Sequence, residues 1–140
     1  MREVCVDTSA WLALADRNEH HHVAVRASYE TLIQGGTRLV TTDLVVAETH
    51  ILLRRRLGSD AAMRFLDGTE ASPRIEVEFM TLEGLAEAVE ILRRYRDHDL
   101  SLADALSFAI MKRRAIQTAL TLDRHFRTAG FDVLPGPAPR

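Results

Sequence analysis

Cysteine is almost missing from this 140-residue sequence: Cys5 stands alone. A single cysteine makes no internal disulfide and anchors no thiolate metal site. Flanked by Val4 and Val6, it reads as a small buried hydrophobe rather than a nucleophile. Lysine is nearly absent too, since all of the eighteen cations except Lys112 are arginine. No apolar run approaches the roughly 20 residues a membrane-spanning helix needs. Arg2 and Glu3 lead directly into a strand-like run, with no apolar leader segment, so the expected location is the cytoplasm. No glycine-rich turn follows that run, which removes dinucleotide binding from consideration. Excess charge is lacking as well. A net charge of −2 does not announce a nucleic-acid binder.

What is present suffices for one folded domain: a chain of this length, 46% hydrophobic, can bury a core. Strand-like segments fall at 3–7, 38–41, 75–79, 117–121 and 131–134. Helical patterns occupy 22–34, 43–57 after Thr42, 60–70 after Ser59 as cap, 82–96 after Thr81, 102–114, and 123–129 before Gly130. Strands alternating with helices predict an α/β fold with a mainly parallel central sheet of four to five strands. Residues 1–134 form the expected domain, and P-G-P-A-P-R at 135–140 an extended or disordered tail.

Ligands in such sheets gather at the carboxyl ends of strands. Asp7 falls there, and Asp123 follows the strand at 117–121. Asp104 lies near the start of S-L-A-D-A-L-S-F-A-I, whose buried face is read as Leu102, Ala105, Leu106, Ala109 and Ile110. Ser101 and Asp104 also have the spacing of a capping box, which explains the acid without any chemistry. Glu48 is harder to explain so simply. It falls among Leu44, Val45, Ala47, Ile51 and Leu52, read as one apolar stripe. An unpaired buried charge costs several kcal/mol or loses its ionisation. A buried arginine would compensate it, and so would a metal ion if other acids are near. Four converging carboxylates suit Mg²⁺ or Mn²⁺, which take hard oxygen ligands. The hydroxyls of Thr8, Ser9, Ser101 and Thr121 are placed to orient an acid or carry a water. One or two such ions can hold a phosphodiester, lower the pKa of a water and stabilise a leaving oxygen.

The arginines cluster at 54–56, 93–96, 113–114 and 124–127. They read either as solvated helix surface or as phosphate contacts, for which Arg54, Arg113 and Arg124 are the candidates. His20, His21 and His22 are consecutive and read as a solvated helix start; His50, His98 and His125 carry no assigned role.

V-D-T-S-A-W at 6–11, L-V-V-A-E at 44–48, D-L-S-L-A-D-A-L-S-F-A at 99–109 and T-L-D-R-H-F at 121–126 together resemble a PIN-domain ribonuclease, and more narrowly the VapC toxins of toxin–antitoxin pairs. The resemblance covers essentially the whole chain in order. Position by position, it assigns Asp7, Glu48 and Asp104 to the family's three core acids and Asp123 to the fourth, more variable one. It implies a Mg²⁺- or Mn²⁺-dependent endoribonuclease leaving a 5′-phosphate and a 3′-hydroxyl. It further implies a cognate VapB-type antitoxin, a toxin homodimer and a higher toxin–antitoxin assembly, with no membrane partner. Rival folds with an acid after the first strand fit less well. Haloacid-dehalogenase chemistry needs an aspartate where Ser9 stands, and a receiver domain needs a lysine after its last strand. The remaining alternative is a PIN fold that binds RNA or protein without cutting.

Overall fold

The computed structural model describes residues 1–137. Its elements run β1 (Glu3–Val6), α1 (Thr8–Ala15), α2 (His22–Gln34), β2 (Arg38–Thr42), α3 (Asp43–Leu57), α4 (Ser59–Ala71), β3 (Ile75–Glu78), α5 (Leu82–Arg94), α6 (Leu102–Arg114), β4 (Thr118–Leu120), α7 (Arg124–Thr128) and β5 (Asp132–Leu134). The strands pair in the order β3-β2-β1-β4-β5, and every pairing is parallel. A parallel sheet is buried on both faces, and the strand residues obey that requirement. Cys5, Val40 and Ala119 point to one side, into a core with Leu106, Phe108, Ile110 and Met111 of α6 and Phe126 of α7. Val4, Val6, Leu39 and Leu120 point to the other, against Ala10, Trp11 and Ala13 of α1 and Val25 and Leu32 of α2. The result is three layers, helices over and under one sheet. Each fully buried Leu, Val or Phe in it contributes about 1.5–3 kcal/mol.

Chain order places the reversal of the sheet between β1 and β4. From β1 the chain steps outward to β2 and β3, then returns through α5 and α6 to pair β4 on β1's other side. Brändén-type crevices open where strand order reverses in this way. Local chemistry fixes the helix starts. Thr42, Thr81 and Ser101 each accept a backbone N–H three residues on, at 3.1, 3.0 and 3.1 Å. Gly130, just past α7, has φ of +97°, a conformation that glycine adopts without strain.

Four expectations need correction. Helix α1 is absent from the sequence reading, because T-S-A-W-L-A-L-A is apolar on nearly every side and has no helical period. Ser59 lies inside α4 and Gly58 is the residue before it, so the expected cap is not formed. On α3 the buried line is Val45, Thr49 and Leu53, whereas Ala47 and Ile51 face solvent. Leu44, Glu48 and Leu52 are half-buried beside it. Helix α6 is buried almost all round, from Ala103 to Met111 with only Asp104 half-exposed, because α5, α7 and the sheet enclose it. The final residues of the tail, 138–140, lie outside the described residues.

The arginine clusters are not all free surface. Arg114, at the end of α6, pairs with Glu3 at 3.0 Å, Glu78 at 2.8 Å and also Glu76, and so ties the helix to β1 and the edge strand β3. Arg113 stands 3.4 Å from Glu78. Cys5 is 1% exposed, and burial pushes its thiol up to about 12, which makes it inert.

Candidate active site

Asp7 leaves β1 at the switch point and caps α1, its Oδ1 accepting the Ala10 N–H at 3.2 Å. Two hydroxyls clamp the same carboxylate. Ser9 donates to Oδ1 at 2.7 Å and Thr121 to Oδ2 at 2.8 Å. Each hydroxyl is itself held by a backbone N–H from the segment after β4: Leu122 donates to Ser9 at 2.8 Å and Asp123 to Thr121 at 2.9 Å. An N–H can only donate, so each hydroxyl is left to direct its one proton at Asp7. The site is therefore built to receive an ionised carboxylate.

Burial opposes that ionisation. Asp7 is 3% exposed, and desolvation pushes its pKa up to about 7 against the pull of these hydrogen bonds, with Asp104 adding to the rise. Asp104 sits in the first turn of α6 in a complete capping box, its Oδ2 accepting the Ser101 N–H at 3.1 Å. Its pKa is raised too, first by burial, then by Asp123 and Glu48. Asp123 begins α7, with Oδ1 accepting the His125 N–H at 2.9 Å.

Three of the four expected acids meet. Carboxylate oxygens of Asp7, Asp104 and Asp123 all lie within 4.8 Å of one another, a group that could hold a metal ion. Glu48 lies outside that group but near enough for its charge to act on Asp104. Of the hydroxyls, Ser9 and Thr121 reach Asp7, and Ser101 holds Asp104. Thr8 starts α1 with its Oγ1 buried and without a hydrogen-bond partner among the described residues. Arg124 lies beside Asp123, lining with it, Arg127 and Thr121 a cavity of about 200 Å³. Arg54 is in the last turn of α3 and Arg113 is at the far end of α6, so neither is brought to the cluster. His125, assigned no role from sequence, turns its Nδ1 to Asp123 Oδ1 at 2.7 Å. The D-x-H spacing at 123–125 was the available signal.

The sequence profile of the PIN domain matches residues 4–132. The 23S rRNA-specific endonuclease VapC20 of Mycobacterium tuberculosis is 33% identical over 128 residues, 91% of this chain and 95% of that protein. The chain belongs to the PIN-domain family, among the VapC-type ribonucleases. Ribonuclease VapC26 of the same species is a further relative, 34% identical over 86% of this chain and 87% of its own. The crystal structure of VapC20, described as a sarcin–ricin-loop cleaving toxin, superposes with a TM-score of 0.82 at 32% identity over 91% of this chain and 95% of that one. FitAcB from Neisseria gonorrhoeae shares the PIN fold at a TM-score of 0.66 and 19% identity, covering 93% of this chain and 95% of that one. Among the described residues no helix is long and apolar enough to cross a membrane. In this PIN domain the three clustered acids stand after the adjacent strands β1 and β4 and on α6, the helix that leads into β4.

Proposed function

We propose that this chain is a Mg²⁺- or Mn²⁺-dependent endoribonuclease, the toxin of a VapBC-type pair, hydrolysing RNA phosphodiester bonds with water. The observation that carries the reading is the convergence of Asp7, Asp104 and Asp123 within 4.8 Å at the sheet's switch point. Their donor set fits such an ion: three carboxylates, with neither thiolate nor imidazole, favour hard divalent cations. When bound, the ion neutralises charge on the phosphodiester and lowers the pKa of water. Asp7 and Asp104 would be its first ligands, Asp7 held by Ser9 and Thr121 and Asp104 by the Ser101 capping box. Glu48, whose charge reaches Asp104 from outside the triad, would take a proton from the attacking water or help hold a second ion. Arg124 stands beside the triad as a phosphate contact, and a planar guanidinium can take phosphate oxygens in pairs.

The relatives direct the choice of substrate. VapC20 is named for 23S rRNA, so a large folded ribosomal RNA is the first substrate to offer this chain. The same reading brings a cognate VapB-type antitoxin, self-association of the toxin and a cytoplasmic setting. The test incubates full-length protein with ribosomes and with total RNA, with Mg²⁺, Mn²⁺ or EDTA, and sequences the new ends. Discrete cuts bearing 5′-phosphates, lost with EDTA and in Asp7→Asn, are expected. Intact RNA under both metals, or cutting by Asp7→Asn and Asp104→Asn at the parent's level, would overturn the reading.

A further inference from the structure

Asp123 has an imidazole partner that Asp7 and Asp104 lack among the described residues. Asp123 Oδ1 accepts two hydrogen bonds from the same residue, the backbone N–H of His125 at 2.9 Å and the ring Nδ1 at 2.7 Å. Among the described residues no hydrogen bond reaches Oδ2. A carboxylate only accepts, so Nδ1 carries the hydrogen and the ring's orientation is set by this contact. The ring is held from outside as well. His98 meets it edge to face, centroids 6.1 Å apart and planes at 88°, and Tyr95 packs on His98 in turn at 5.7 Å. The His125 side chain is only 14% exposed and that of Asp123 25%.

Resting on the metal reading above, we propose that His125 is a positioning residue for Asp123. Its ring occupies Oδ1, so Oδ2 is the oxygen presented to an ion shared with Asp7 and Asp104. A backbone N–H alone would cap α7 but would leave the carboxylate free to rotate about its Cβ–Cγ bond. The second donor, fixed in a packed ring, stops that rotation. Outer hydrogen-bond partners of metal-binding side chains commonly matter by about 10- to 100-fold in affinity.

The test measures Mn²⁺ binding to the full-length chain by titration calorimetry, with metal-free thermal unfolding alongside. His125→Phe keeps a packed ring and removes the donor; His125→Asn removes the ring and keeps an N–H near the position of Nδ1. The expected result is a loss of about 10- to 100-fold in Mn²⁺ affinity for His125→Phe and near-parental affinity for His125→Asn. Affinity within twofold of the parent for His125→Phe, or an equal loss in both variants, would overturn the proposal. Should the parent bind no Mn²⁺ at all, the metal reading itself fails, and this proposal with it.

Discussion

The Thr121 hydroxyl donates to Asp7 Oδ2 at 2.8 Å across 114 positions of sequence, while its oxygen accepts the Asp123 N–H at 2.9 Å. One small side chain thus joins the end of β1 to the segment carrying the fourth acid. Thr121→Val keeps the shape and removes both bonds. Leaving buried polar groups unpartnered costs about 1–3 kcal/mol. Urea unfolding should show that loss, and Mn²⁺ affinity should fall with it. Unchanged affinity would mean that Ser9 and His125 hold Asp7 and Asp123 without help from Thr121.

Asp7→Asn and Asp104→Asn should abolish RNA cleavage and toxicity. Asp7→Asn should also stabilise the metal-free fold at pH 8, since it removes a carboxylate whose ionised form is buried. Each kcal/mol gained corresponds to a rise of roughly 3–5 °C in a chain of this size. Full cleavage by Asp104→Asn would reduce that residue to its capping role.

The pH dependence has a definite sign. Asp7 is pushed up to about 7 in the fold, chiefly by burial, against roughly 3.9 in an unfolded chain. Between those values the folded protein holds a proton that the unfolded one has lost, so stability is present below the window and is lost as pH rises through it. The difference is of order 4 kcal/mol, and Asp104 adds in the same direction. Metal-free protein should therefore unfold at lower urea at pH 8 than at pH 5. The slope should shrink in Asp7→Asn. A slope unchanged by that substitution would remove Asp7 as its source.

Divalent ions should offset part of that loss. Ligand linkage gives about 2.7 kcal/mol at a hundredfold excess over Kd. Because protons and the ion compete for Asp7, the Mn²⁺-induced rise in Tm should be larger at pH 8 than at pH 6. A PIN fold that only binds RNA or protein should show no such rise, and that result would favour the non-catalytic alternative.

Arg114 supplies a control far from the chemistry. Arg114→Gln leaves Glu3, Glu76 and Glu78 facing one another without their shared cation. A loss of about 1–3 kcal/mol in stability is expected, with kcat for RNA unchanged at temperatures where the variant is folded. A fall in kcat there would mean that the edge strand β3 influences the site.

Much of this molecule was legible in one dimension. Caps at Thr42, Thr81 and Ser101 and short β-branched runs placed most helices and strands, because those signals act over three or four residues. The acids at 7 and 123 were legible from their place after strands, and Asp104 from its place on an apolar helix face. Helix α1 escaped notice because a segment buried on nearly all sides shows no period. The α3 stripe was misplaced by about a quarter-turn, since which line of a helix is buried depends on where α1 and α4 pack.

Convergence itself is a tertiary fact. That Ser9 and Thr121 share Asp7, that Glu48 stands just outside the triad, and that Arg113 and Arg114 are occupied by glutamates follow from a parallel sheet whose strand order reverses between β1 and β4. The residue string alone determined which side chains would be costly to bury. Only the sheet's order decided that they meet at one place, because distances between positions a hundred residues apart are set by packing and not by any local preference of the backbone.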